Sequence, residues 1–293
     1  MIRISFIGLG HMGNPMVSNL LKAGYRVKIY DVVPAAMQAL IPKGAIAAQS
    51  LADLATEADV IITMLQTGKQ VSEICLGTEG IFKHALPGTV YIDCSSIEIM
   101  LSHQLHAEAK KSGINMVDAP VSGGVVGASG ATLTFMVGGS VENVFLAKPI
   151  LEKMGKKIIH AGSEGHGQAA KICNNLILGI SMIGVCEAFN LGEKLGLDPK
   201  KLFEISSNAS GQCWSLTNYC PVPGLVENAP SNHSYTPGFM TKMMLKDLRL
   251  AQQAAQSSGA TLPLGAHSAE LYALFVEQGY GEMDFSGIIN LLR

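Results

Sequence analysis

A glycine-rich segment near the start of the chain constrains the fold more than any other feature. Gly8, Gly10 and Gly13 follow an apolar run at residues 2–7 and precede a helical pattern at residues 12–23. In a strand–turn–helix unit the first glycine allows a tight turn, the second admits a pyrophosphate and the third permits close helix packing. The pattern predicts a dinucleotide-binding turn, with Leu9, His11 and Met12 as its other members.

Asp31 follows the second predicted strand, 23 residues beyond Gly8. A carboxylate at this offset accepts hydrogen bonds from the adenosine ribose and repels a 2′-phosphate. No arginine comes directly after it, because the chain continues with Val32 and Val33. We therefore expect NAD rather than NADP. The alternative, in which Asp31 only caps a loop, is less favoured at this offset.

The first half of the chain alternates short apolar runs with helical patterns. Strands are predicted at residues 2–7, 26–30, 60–65, 89–93, 115–119 and 132–137, and helices at residues 12–23, from 34 and at 97–111. Alternating strands and helices indicate βαβ units and a mostly parallel, doubly wound sheet of the Rossmann type. We assign residues 1–162 to an NAD-binding α/β domain.

The second half is predicted to be all-helical. One long apolar helix spans about residues 165–195, with Gly196 at its C-cap. Further helices start after Asp198, with Pro199 at the first helical position, and cover about residues 241–258 and 264–278. Residues 218–239 form the long loop. We assign residues 163–293 to a helical domain for substrate binding, catalysis and oligomerisation.

Composition excludes several classes of function. Charged residues make up 15% of the chain and the net charge is −2, so there is no basic field for nucleic acid. The longest apolar stretch, residues 176–186, is far shorter than the ~20 residues of a membrane span. The six cysteines lack metal or redox spacing, and no metal site is expected. With no leader before the first strand, we expect a cytoplasmic protein with a small-molecule partner.

Lys171 is the candidate for proton transfer. It is the only lysine or arginine between Lys157 and Lys194, and it lies in an apolar helix. Burial disfavours the charged amine, so such a lysine needs a partner or a lowered pKa. Asn175 lies one helical turn further, on the same face. Two alternatives remain open: Lys171 extends to solvent, or His166 acts as the base.

A second candidate site follows the strand at residues 115–119. Ser122, Gly123 and Gly124 form a turn whose backbone N–H groups and hydroxyl can hold a carboxylate. Taken alone, the segment from Asp118 to Gly124 could equally be a structural loop.

The whole chain resembles the β-hydroxyacid dehydrogenases, and within them the 3-hydroxyisobutyrate branch. Four segments carry the resemblance: residues 8–16, 118–124, 167–175 and the pair at 246–247. The branch is indicated by Cys213-Trp214-Ser215, by residues 219–224 and by Asp284-Phe285-Ser286.

The resemblance implies a role for each matching residue. Lys171 would be the catalytic acid–base group. Substrate would contact Ser122, Gly123, Gly124, Asn175 and Trp214. NAD would contact the turn at residues 8–13 and Asp31, together with Leu65, Gln66, Gln70, Ser96 and Lys246.

The reaction implied is NAD-dependent oxidation of 3-hydroxyisobutyrate to methylmalonate semialdehyde, as in valine catabolism. Two alternatives stay open: reduction of another small semialdehyde, such as tartronate or succinic semialdehyde, and a sensor that binds NAD without chemistry. We also expect a homo-oligomer, dimer or tetramer, because residues 176–186 are apolar on every face of the helix.

Overall fold

The computed structural model describes residues 2–293, which divide into two compact units. One unit ends at Lys171 and the other spans Ile172–Arg293. The boundary between the units lies inside one long helix, His166–Lys194, and residues 172–194 of this helix belong to the second unit. Each unit has a hydrophobic core of its own.

The N-terminal unit is built on a nine-stranded sheet. Its strands are β1 (Arg3–Ile7), β2 (Arg26–Tyr30), β3 (Ile46–Ala47), β4 (Val60–Thr63), β5 (Val90–Asp93), β6 (Asn115–Asp118), β7 (Val121–Ser122), β8 (Leu133–Gly138) and β9 (Gly155–Gly162). The order is β3-β2-β1-β4-β5-β6-β8-β7, with β9 beside β8. Strand β8 runs antiparallel to its neighbours β6 and β7, and β9 runs parallel to β8. The order 3-2-1-4-5-6 is that of a Rossmann fold.

Helices cover both faces of this sheet. They are α1 (Gly13–Lys22), α2 (Pro34–Gln38), α3 (Leu51–Ala55), α4 (Gly68–Leu76), α5 (Ile99–Lys111), α6 (Gly124–Ser129) and α7 (Val141–Leu151). Two separate apolar clusters result, one around Phe6 and Phe135 and the other around Tyr91 and Leu105. Strands buried on both faces explain the unbroken apolar runs in the sequence.

The C-terminal unit is all-helical after α8 (His166–Lys194). Its other helices are α9 (Pro199–Ser207), α10 (Trp214–Thr217), α11 (Thr241–Ser258), α12 (Pro263–Phe275) and α13 (Ile289–Leu292). Asp198 caps α9 by accepting the Lys200 N–H at 2.9 Å, and Gly259 ends α11 in the left-handed region. The core gathers around Met182, Phe275 and Phe285.

The fold class agrees with the expectation, but several elements are absent from the sequence-based assignment. Strand β9 was missed because half of its residues are exposed, among them Lys156, Lys157 and His160, so it lacks the apolar run of an inner strand. Helix α7 was missed because Pro149 lies inside it and its apolar residues are not confined to one face.

Helix α8 is longer than the apolar run at residues 176–186 suggests. At 29 residues it has the length and apolar character to cross a membrane, yet 44% of its most apolar 18-residue window is buried inside the structure. Met182, Cys186 and Phe189 from this helix belong to the core of the C-terminal unit. Burial of these residues accounts for part of the apolar composition of the helix.

Candidate active site

The glycine turn joins β1 to α1 and leaves almost no space for side chains. Gly8 has a φ of +94°, and a Cβ there would lie 2.3 Å from the Met64 carbonyl oxygen. A Cβ on Gly13 would lie 1.8 Å from the Gly8 carbonyl oxygen. Gly10 differs, because a Cβ there meets nothing within 4 Å. Two glycines therefore shape the turn, and the third opens it to the outside.

The space beside Gly10 is open to a ligand. A cavity of about 750 Å³ is lined by Gly10, His11, Asn14 and Gln66, among others. Helix α1 starts at this cavity without a side-chain cap. Uncapped N–H groups and the positive end of the helix suit a pyrophosphate. The turn also lies between β1 and β4, where the strand order reverses and such folds bind their ligands.

Asp31 lies at the end of β2, beside the turn. Its carboxylate accepts the Leu9 N–H at 2.7 Å and the Val33 N–H at 2.8 Å. It therefore fixes the glycine turn from within the protein. Each carboxylate oxygen accepts more than one hydrogen bond, so this structural role is compatible with ribose binding.

The loops after β4 and β5 carry the other expected cofactor residues of this unit. The Leu65 N–H donates to the Ser95 hydroxyl at 3.0 Å, which joins the two loops. Gln70 forms a capping box with Thr67 at the start of α4, and its side chain also accepts the Gln66 N–H at 3.1 Å. The structure thus gives Gln70 a local role that the sequence assignment did not include.

Lys171 is half-buried and lies against the serine–glycine turn. Its Nζ donates a hydrogen bond to the Val121 carbonyl oxygen at 2.7 Å. Val121 and Ser122 form the short strand β7, which pairs with Thr134 and Phe135 of β8. Gly123 then reverses the chain with a φ of +132°. The amine and the proposed carboxylate-binding turn are therefore neighbours.

Asp118, at the end of β6, holds the first turn of α8. Its Oδ1 accepts from Gly165 N at 2.8 Å and is 2.9 Å from His106 Nε2; its Oδ2 accepts from Gln168 N at 2.9 Å. The Asp118 and His106 side chains are buried. The sequence indicates Asp118 only as the start of a motif and assigns no chemical role to His106. Their contact could not be predicted, because it depends on the packing of α5 against the sheet.

Asp93 is paired with Asp118 in the sheet register and is also fully buried, but its carboxyl group has fewer hydrogen-bond partners. Its Oδ1 accepts from Thr63 at 2.8 Å and from Ser95 N at 3.0 Å, whereas Oδ2 has no partner among the described residues. Complete burial raises the pKa of Asp93 to about 6, and the hydrogen bonds from Ser95 and Thr63 oppose that rise. Nothing in the sequence distinguished this carboxyl group from an ordinary strand end.

In the C-terminal unit, Asn175 and the lysine–aspartate pair lie together. The Asn175 amide donates to Asp247 Oδ2, and Lys246 Nζ is 3.2 Å from Asp247 Oδ1. Asp247 and Asn175 are buried. Trp214 of the same unit is 49% exposed and stacks on Tyr219 with ring centroids 4.9 Å apart.

The described residues, 2–293, contain no group of three metal-ligating side chains. The six cysteines form no disulfide within the same residues, and Cys173 is the exposed one.

Comparison with known proteins identifies the family. Residues 3–162 match the family model of the NAD-binding domain of 6-phosphogluconate dehydrogenase. Residues 165–292 match the model described as the NAD-binding domain of NADP-dependent 3-hydroxyisobutyrate dehydrogenase.

Individual relatives agree with this. An NAD-dependent L-serine dehydrogenase of Pseudomonas aeruginosa is 48% identical over 99% of this chain and 98% of its own. The mitochondrial 3-hydroxyisobutyrate dehydrogenase of Bos taurus is 47% identical over 99% of this chain and 86% of its own. A solved structure of Mycobacterium tuberculosis 3-hydroxyisobutyrate dehydrogenase with L-serine is 45% identical, with a TM-score of 0.95, 100% coverage of this chain and 99% of that one.

These likenesses confirm the expected family, the Rossmann-type fold followed by helices, and the expectation of NAD. The chain belongs to the 3-hydroxyisobutyrate dehydrogenase family of β-hydroxyacid dehydrogenases and is an NAD-dependent oxidoreductase.

Proposed function

We propose that this enzyme oxidises 3-hydroxyisobutyrate to methylmalonate semialdehyde, with Lys171 as the acid–base residue. One observation carries the proposal: the Lys171 amine lies 2.7 Å from the carbonyl oxygen directly before the Ser122–Gly124 turn. A carboxylate bound at that turn would bring the rest of a short 3-hydroxy acid close to the amine. The family membership supports the same reading.

In the proposed reaction the neutral Lys171 amine accepts the substrate's hydroxyl proton, while the adjacent carbon loses a hydride. NAD, when bound, supplies the hydride acceptor. Ser122, Gly123 and Gly124 hold the substrate carboxylate through the hydroxyl and backbone N–H groups. The Asn175 side chain, held by Asp247 and four positions after Lys171 in α8, binds the hydroxyl oxygen.

The remaining residue assignments are also proposals. NAD would be bound by Gly8, Leu9, Gly10, His11, Met12, Gly13, Asp31, Leu65, Gln66, Gln70, Ser96 and Lys246. Trp214, half-exposed in the C-terminal unit, would contact the substrate. Residues 1–162 would form the NAD-binding domain and residues 163–293 the substrate and oligomerisation domain, in a cytoplasmic enzyme of valine catabolism.

L-serine is the second candidate substrate. It shares the carboxylate and the primary alcohol of 3-hydroxyisobutyrate and differs by an ammonium group in place of the methyl group. A relative 48% identical is named an NAD-dependent L-serine dehydrogenase, and the solved relative contains L-serine. The choice depends on what faces the substituent at the second carbon, and an apolar wall containing Trp214 would favour the methyl group.

Initial rates of NADH formation test this choice. The substrates compared are 3-hydroxyisobutyrate, L-serine and the hydroxy acids formed by reduction of tartronate semialdehyde and succinic semialdehyde. Each is assayed with NAD and, separately, with NADP. We expect the highest kcat/KM with 3-hydroxyisobutyrate and NAD. A higher value with L-serine would reassign the substrate, and no turnover of any hydroxy acid would favour the NAD-binding sensor.

The variant Lys171→Ala tests the mechanism. Loss of a general base reduces rates about 10²–10⁴-fold, so kcat should fall by that factor while the Kd of NAD stays within about twofold. Lys194→Ala, at the other end of the same helix, is the matched control and should keep full activity. Unchanged turnover in Lys171→Ala would remove this lysine from the mechanism.

We also propose that the helical unit makes contacts between copies of the chain. Ile177, Leu191 and Leu195 of this unit are 66%, 60% and 75% exposed. Large apolar side chains grouped on one helix and its end are typical of subunit interfaces. Size-exclusion chromatography with light scattering should give a dimer or tetramer. A monomer at micromolar concentration would refute this.

A further inference from the structure

We propose that Asp118 is a positioning residue: its buried carboxylate sets the place of Lys171 over the serine–glycine turn. The inference rests on the acid–base role proposed for Lys171. Asp118 itself is fully buried, so it acts through the helix and not by contact with the substrate.

The carboxylate joins three separate segments. It accepts the N–H groups of Gly165 and Gln168 at the start of α8, and it pairs with His106 of α5. The first N–H groups of a helix have no partner within the helix, and the same end carries a partial positive charge. A buried carboxylate at this point therefore fixes the helix start in position and direction.

Close backbone packing prevents the helix from shifting. A Cβ on Gly167 would lie 2.5 Å from the carbonyl oxygens of Asp118 and Met136, and a Cβ on Gly138 would lie 2.6 Å from Gly167 N. The first turn of α8 thus lies directly on β6 and β8. Any change in the Asp118 hydrogen bonds is transmitted to the helix, since no side-chain layer between them can absorb it.

The same two segments meet again at the proposed catalytic group. Val121 comes three residues after Asp118, Lys171 comes three residues after Gln168, and the Lys171 amine bonds to the Val121 carbonyl oxygen. Residues 118–121 and 168–171 are therefore joined by two hydrogen bonds, one at Asp118 and the other at Lys171.

The Gln168 side chain connects this contact to the loop after β5. Its Nε2 donates to the Ser95 carbonyl oxygen at 2.8 Å, and its Oε1 accepts the Ile97 N–H at 3.1 Å. These two groups flank Ser96, a residue proposed to line the NAD site. The first turn of α8 is thus fixed relative to both the substrate turn and the cofactor loop.

The test is Asp118→Asn, a replacement of nearly equal size. An asparagine amide has one accepting oxygen, so its NH₂ group must face at least one of the donors that the carboxylate now accepts. Misplacing a reacting group by about 1 Å can cost a factor of 10² in rate. We expect kcat to fall at least about tenfold, with the KM of the hydroxy acid and the Kd of NAD within about twofold.

A control separates positioning from loss of stability. Thr89→Val removes a buried hydrogen bond to the Ala58 carbonyl oxygen at the opposite end of the sheet. It should lower the Tm without changing kcat. If Asp118→Asn lowers the Tm and leaves kcat per folded molecule unchanged, or if it raises KM and kcat stays constant, the positioning role is refuted.

A double-variant comparison tests the dependence on Lys171. In the Lys171→Ala background the Asp118→Asn change should have no further effect on the residual rate, because there is no amine left to position. An equal loss in both backgrounds would overturn the inference. Full turnover of Lys171→Ala alone would refute the proposed function instead, so the two failures are distinguishable.

A milder variant serves if Asp118→Asn does not fold. His106→Leu removes one donor to the carboxylate and leaves the helix N–H groups in place. It should reduce kcat severalfold with KM unchanged. An unchanged kcat in folded His106→Leu protein would count against the positioning role.

Discussion

Two parts of the same sheet edge are built in different ways. The cofactor edge, residues 8–13 and Asp31, follows β1 and β2, and it is made mainly of backbone atoms packed against backbone atoms. The proton edge is defined by Asp93 and Asp118, at the ends of β5 and β6, and by Gln168 and Lys171 of α8. It is made of buried or half-buried side chains joined by hydrogen bonds.

The difference determines how each edge responds to change. At the cofactor edge a single carbon added to Gly8 or Gly13 meets a carbonyl oxygen, so the effect there is steric and abrupt. At the proton edge each group has several partners, so removing one shifts the others, and the effects are graded. Substitutions at the two edges therefore test whether their effects on stability and binding differ in this way.

The largest effect is expected at the cofactor edge, from Gly13→Ala. The new Cβ would lie 1.8 Å from the Gly8 carbonyl oxygen, so the turn must move. We expect a loss of more than about 3 kcal/mol in the free energy of unfolding, together with loss of measurable NAD binding. Urea unfolding and isothermal titration calorimetry with NAD measure the two effects.

Gly10→Ala is the matched control, since its Cβ meets nothing within 4 Å. The free energy of unfolding should stay within about 1 kcal/mol, because the new methyl group has space and φ is not positive. NAD affinity should fall about tenfold or more, as the methyl group occupies the approach to the pyrophosphate. Equal stability losses in the two variants would contradict a turn built by Gly8–Gly13 contact.

A smaller effect, dependent on pH, is expected at the proton edge from Asp93→Asn. The folded protein raises the pKa of Asp93 from 3.8 to about 6, so between these values the folded state binds more protons than the unfolded state. Stability contributed by Asp93 is then highest below pH 4 and falls as the pH rises towards 6. The total loss is about 3 kcal/mol.

Urea unfolding of both proteins at several pH values between 4 and 7.5 measures this effect. Asparagine does not titrate, so the difference between wild type and Asp93→Asn should change across pH 4–6 and be constant above it. Subtracting the variant removes the contribution of Asp284, whose burial also raises its pKa. A difference independent of pH would show that Asp93 titrates as an exposed carboxyl group does.

Sequence reasoning was most successful where structure depends on neighbouring residues in the chain. The glycine turn, the cap at Asp198 and the end of α11 at Gly259 agree with the structure because each depends on local backbone geometry. Strand β9 was missed because half of its residues are exposed, and helix α7 was missed because Pro149 lies inside it and its apolar residues are not confined to one face.

The candidate site divides in the same way. Lys171 was identified from its isolation in an apolar helix, but its bond to Val121 links residues 50 positions apart. The pairs of Asp118 with Gln168 and with His106 are likewise set by which elements lie side by side. No spacing in the sequence contains that information.

By itself the sequence determined the alternation of strands and helices and the glycine turn after β1, and it predicted that this turn binds NAD and that Lys171 transfers the proton. These depend on periodicity, on the backbone freedom of glycine and on the cost of burying a charge, all of which act within a few residues. Only the tertiary structure decided which carboxylates are satisfied and which are not. Asp93 and Asp118 are neighbours at equivalent strand ends. The packing of α5 and α8 gives partners to both oxygens of Asp118, whereas Asp93 has partners, Thr63 and Ser95, at only one oxygen.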